Sequence, residues 1–153
     1  MKMTWLYFVV LTILCWGAYV PTIHAGQTSF SGKTGALRAF MFVGVAYFML
    51  AGAVLVYLYM TRQEPLEFAV KGVSLSTFAG VLGAIGALGI VFAIRYGGNP
   101  LIVAPIVFAG APVVNTIVSM MIHKPASPPR VWFYVGIVLA AGGAFLALRF
   151  KPK

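Results

Sequence analysis

Acidic residues are almost absent from this chain: of 153 residues only two are acidic, Glu64 and Glu67, and both fall in one short stretch. No long apolar run holds a carboxylate, so the commonest intramembrane proton-coupling group is missing and a carboxylate-driven proton antiporter is not expected. Paired carboxylates for acid–base catalysis are excluded on the same ground. The single cysteine, Cys15, excludes an intrachain disulfide and a cysteine cluster for a metal. With two histidines, His24 and His123, the sequence offers no metal-ligand cluster, no Ser-His-Asp set and no phosphate-cradling loop. It predicts no enzyme: no catalytic residue, no metal and no cofactor.

Charge of either sign is scarce. Only 8% of the residues are charged, against roughly 25% in soluble domains, while 61% are hydrophobic and the mean hydropathy is +0.98. A water-soluble fold of this size could not cover itself with polar surface. The net charge of +9 comes from eleven Lys and Arg set singly between or beyond apolar runs, not in a basic patch interleaved with aromatics, so nucleic acid is not an expected partner. Cations so placed fix orientation and touch anionic headgroups; the expected partner is the lipid bilayer.

What the chain has in plenty is apolar length. A helix needs about 20 mostly apolar residues to cross the hydrocarbon core, and five stretches provide them: Trp5 to His24, Leu37 to Met60, Leu75 to Ile94, Leu101 to Ile122 and Val131 to Leu148. The connections, GQTSFSGKTG, TRQEPLE, RYGGNP and HKPASPP, are short and rich in turn formers. The expectation is an all-α, multi-pass integral membrane protein, one membrane domain over residues 1–153, in a cell membrane such as the bacterial inner membrane. Lys2 before the first run, with Ile23, His24 and Ala25 as a loose cleavage site, admits a signal peptide, which would leave four helices.

Orientation is nearly undetermined by charge. Lys2, Arg62, Lys71, Lys124 and Arg130 fall on one side, and Lys33, Arg38, Arg95, Arg149, Lys151 and Lys153 on the other. The positive-inside rule needs an asymmetry. Either the cations near the first helix decide, placing Lys33 and Arg38 in the cytoplasm, or copies insert both ways and pair antiparallel.

Three segments carry further signals. In the third, Gly80, Gly83, Gly86 and Gly89 are spaced by three and Ala79, Gly83 and Ala87 by four, a small-residue face that lets helix backbones approach, within the chain or between copies. In the fourth, Pro105 and Pro112 leave the carbonyls of Leu101 and Phe108 without their helical donors, and Asn115, Thr116 and Ser119 follow within two turns. This is either a polar binding site near mid-membrane or a kink repaired by interhelical hydrogen bonds. In the first, Trp16, Tyr19 and Ile23 share a face and Pro21 loosens the last turn. Trp16 lies deeper than an interfacial belt residue and could stack on a ligand. His24, His123 and Lys124 read as interface groups.

The order of these features resembles a known family. A first helix with Trp16 and Gly17 in its second half, a Gly- and Ala-rich third helix, a helix with a central Pro112–Val113 and a last helix reading VGIVLAAGGAFLAL look like one five-helix half of the drug/metabolite transporter superfamily, nearest to its EamA-type domain. The WGAYVPTIHAG stretch is also similar to the sugar and ureide uptake branch. Such proteins usually hold two halves in inverted orientation around a substrate path, so the resemblance implies a half-size unit that dimerises, with a solute held by Trp16, Tyr19, Pro112, Asn115 and Thr116. An odd helix count would let an inverted second copy recreate the repeat. Two departures stand against cation export: His123 and Lys124 occupy the place of the glutamate common after the fourth helix of EamA domains, and the membrane glutamate of the small multidrug branch is missing. The alternative is a non-transporting structural or accessory subunit of a membrane complex.

Overall fold

The computed structural model describes residues 3–62, 65, 67–122 and 127–150, and these form five α-helices in succession. They are α1 (Thr4–Ser29), α2 (Gly35–Thr61), α3 (Val70–Arg95), α4 (Pro100–Ile122) and α5 (Val131–Arg149), with no strand among the described residues. The first four are long and apolar enough to cross a membrane; α5 is shorter, at 19 residues. The class this fold defines is a multi-pass helical membrane protein. Glu64, His123, Lys124 and the terminal Lys2, Lys151 and Lys153 lie outside the described residues.

Two helices run past the bounds that apolarity alone suggests. In the polar end of α1 the hydroxyls are satisfied on the helix's own backbone: Thr28 and Ser29 donate to the Ala25 carbonyl at 2.9 and 2.8 Å. At 26 residues α1 is about 39 Å long, more than the ~30 Å hydrocarbon core. Similarly α3 begins at Val70, where Ser74 donates to the Val70 carbonyl at 2.9 Å.

The chain divides into two compact units, one of Pro21–Tyr96 and one of Met1–Val20 with Gly97–Lys153. In the first unit α2 and α3 pack together with the end of α1. Buried Ala87, Ile90, Val91 and Ile94, at the three-four spacing of one helix face, form its core with Ile23, Ala36 and Ala39. The α1–α2 corner depends on two glycines. Gly32 has φ +85°, a left-handed conformation that costs other residues about 1–2 kcal/mol. Gly35 leaves no room: a Cβ there would lie 2.7 Å from the Gln27 carbonyl oxygen and 2.9 Å from that of Phe30. Arg38 closes the corner, its guanidinium donating to the Ser31 carbonyl and lying 5.4 Å from the Phe30 ring centroid.

In the second unit α4 packs on α5. Gly97, at φ +96°, turns the chain, and the Asn99 side-chain oxygen accepts the Leu101 amide at 2.9 Å. Pro100, first in the helix, has no N–H to leave unpaired.

Candidate functional site

The site assembled in the unit containing α4 begins with two prolines that prevent a regular backbone ladder. Pro105 and Pro112 lie inside α4 and Pro21 inside α1. Each removes a donor, so the carbonyls of Leu101, Phe108 and Gly17 lack the amide four residues on. In hydrocarbon such a carbonyl needs another donor.

At the level of the Phe108 carbonyl the structure places an aromatic cluster. The Trp16 ring of α1 meets the Phe108 ring of α4 edge-on, 6.1 Å between centroids at 85°. On its other side Trp16 lies 6.0 Å from Tyr19 at 45°. Such tilted and edge-on pairs are the favourable geometries for rings. Trp16 remains 42% exposed, so one of its surfaces is free, while Tyr19 is half-buried. The structure thus joins Trp16 and Tyr19, and adds the ring of Phe108, whose carbonyl is the one that Pro112 deprives of its helical donor. Its place one turn before Pro112 was the available signal, because that is where the helix opens.

The polar residues of α4 are placed differently from one another. Phe108, Pro112, Asn115 and Ser119 repeat at four, three and four residues and so share a face. Asn115 is two turns beyond Phe108, about 10 Å along the axis. It is exposed and makes no hydrogen bond among the described residues. Thr116 is half-buried, in a stripe with Ile102, Pro105, Ala109, Val113 and Met120. Pro112 is exposed between the two. The cluster is therefore aromatic at the level of Trp16 and amide-bearing two turns away.

The glycine face belongs to the other unit. Gly80 and Gly83 line a groove of about 400 Å³ with Phe40, Val43, Gly44 and Tyr47 of α2 and with Ala79, Ala84 and Ala87 of α3. Within that unit a Cβ added at Gly80, Gly83, Gly86 or Gly89 would meet no atom within 4 Å. Further along α3 the larger aliphatic side chains of Ile90 and Ile94 are buried. Among the described residues no three His, Cys, Asp or Glu come together to hold a metal. Cys15, next to Trp16 in sequence, is an exposed free thiol.

Compared with protein-family models, with curated proteins and with solved structures, the chain matches none.

Proposed function

We propose that this chain is a small-solute transporter or facilitator of the drug/metabolite transporter type, an EamA-like half of five membrane-spanning helices that works as an antiparallel homodimer in a cell membrane. The observation that carries the reading is the meeting of Trp16, Tyr19 and Phe108 at the carbonyl that Pro112 frees. An exposed aromatic surface beside a carbonyl that lacks its regular helical donor is suited to a neutral solute that stacks on a ring and donates a hydrogen bond. Asn115, further along the same α4 face, would add a donor and an acceptor to the path. With no carboxylate in the spanning segments, the solute moves down its gradient without a carboxylate proton carrier.

Uptake of a panel of neutral polyols, sugars and ureides into proteoliposomes tests this. The expected result is uptake of at least one class above empty liposomes, lowered about tenfold or more by Trp16→Ala, with lost aromatic contact acting on binding. No uptake across the panel, with a protein shown to be folded by circular dichroism, would favour the accessory-subunit reading. That second reading has one observation behind it, the α2–α3 groove lined by small residues and uncovered within its unit.

A further inference from the structure

A cleft of about 390 Å³ opens at the α1–α2 corner, in the unit of Pro21–Tyr96, and it lies outside the aromatic site of the proposed transport path. It is lined by His24, Gln27 and Thr28 of α1, Lys33 of the turn, the first residues of α2 and the last of α3, Ile94 and Arg95. We propose that this cleft binds a phosphate group.

Four observations converge on an anion. First, Lys33 and Arg95 both line the cleft, and no acidic residue among the described ones does; Glu67 follows the far end of α2, about 40 Å of helix away. Second, Gly35 and Ala36, the start of α2, face it, and the helix N-cap residue Thr34 gives no side-chain hydrogen bond to the first turn. The Gly35 amide reaches the Gly32 carbonyl at 3.4 Å, and the turn receives no side-chain oxygen from its cap, so the helix start keeps partial positive charge. Third, Gln27 lines the cleft while only 8% exposed, and its amide nitrogen has no hydrogen-bond partner. A buried donor left unpaired is costly, and an oxygen-rich occupant relieves that cost. Fourth, Nδ1 of half-buried His24 is also without a partner.

The carbonyl ends of α1 and α3 bring partial negative charge to the same region, and Arg95, in the last turn of α3, offsets it. A tetrahedral oxyanion suits a set of donors that approach from a helix start, a guanidinium, an ammonium and an amide. Its position favours phosphate over a carboxylate-bearing solute, because the cleft lies at the polar end of α1, which carries Gln27, Thr28 and Ser29 and would sit toward the headgroups rather than in the hydrocarbon. The source is a lipid headgroup or a free phosphate ester, and both present the same oxygens.

The full chain in an uncharged detergent distinguishes them. Two probes are used: phosphatidylglycerol added against phosphatidylcholine and read by native mass spectrometry, and inorganic phosphate added against chloride at equal ionic strength and read by thermal unfolding. The expected result is retention of one phosphatidylglycerol per chain or a rise in unfolding temperature with phosphate over chloride, the first marking a lipid and the second a soluble ester. Lys33→Gln with Arg95→Gln, both at exposed positions, should weaken the responding probe about tenfold or more. Arg62→Gln with Lys71→Gln, which removes equal charge from the other end of the α2–α3 hairpin, should not. Equal loss in the two variants, or no preference for either phosphate probe over its control, overturns the proposal. Should the first double variant unfold on purification, Lys33→Gln alone serves, since Lys33 lies in the turn between helices.

Discussion

Gly35 is the residue on which the α1–α2 corner turns, because the atoms that exclude a Cβ there are backbone oxygens and not the ends of flexible side chains. Gly35→Ala is expected to lower stability by roughly 1–3 kcal/mol, the cost of overpacking, read as an earlier midpoint in denaturant unfolding in detergent. Asn99 acts by a different route. Its side-chain oxygen accepts the Leu101 amide at the α4 start, and Asn99→Ala should cost about 1 kcal/mol in the same measurement. An unchanged midpoint for either variant would remove that residue from the account. In the sequence these residues were only turn punctuation; which glycine is needed for conformation and which for clearance depends on the atoms that come near. Gly32 is needed for its φ of +85° and Gly35 for the absence of a side chain.

Among the elements, α4 is the one whose irregularity the proposed transport path uses. Pro112→Ala restores the amide that the Phe108 carbonyl lacks, so the helix should gain in stability, by up to about 3 kcal/mol on the scale of proline's helix penalty. Uptake should fall at the same time, if the opened carbonyl serves a solute. Parallel measurement of unfolding and of proteoliposome uptake checks the two signs together; a variant that is both more stable and fully active would detach the proline from transport. The small-residue face of α3 gives a second prediction. With nothing within 4 Å of an added Cβ in its own unit, Gly83→Ala should raise stability by roughly 0.5–1 kcal/mol through helix propensity. A loss instead, seen in the same unfolding assay, would mean that a further helix lies in the groove.

The helices themselves were legible at the level of the element, because apolar runs of membrane length have few other solutions. Their ends were less so. Gln27, Thr28 and Ser29 are polar, and nothing in hydropathy shows that α1 continues through them, with both hydroxyls satisfied on the Ala25 carbonyl. The candidate site was half legible. The spacing of Trp16 and Tyr19 puts them on one face, whereas the meeting of Trp16 with Phe108 joins residues 92 apart in the chain, a relation no local period encodes. The cleft was hidden for the same reason: Lys33 and Arg95 are single cations in separate connections until the fold brings them to one opening.

For the whole molecule the question is how many copies act together and which way each one faces. The proposed antiparallel dimer requires five spanning helices and both orientations in one membrane, with the two termini of each copy on opposite sides; loop cations divided five against six allow this. Tags at each terminus should be accessible from both faces in sealed vesicles, and native mass in mild detergent should be that of two chains. One fixed orientation with a single-chain mass would exclude the antiparallel dimer. Intact mass of the same preparation decides whether the segment ahead of residue 25 is retained; α1 is continuous across that point.

The lone thiol offers a way to observe these matters without engineering. Cys15 adjoins Trp16, is exposed, and has no other thiol in the chain to confuse its labelling. A thiolate forms only where water reaches it, so the rate at which a small polar maleimide modifies intact vesicles reports the wetness of α1 at the depth of the aromatic cluster. A fluorophore attached there would sit beside the indole and register a solute arriving at the ring as a change in quenching.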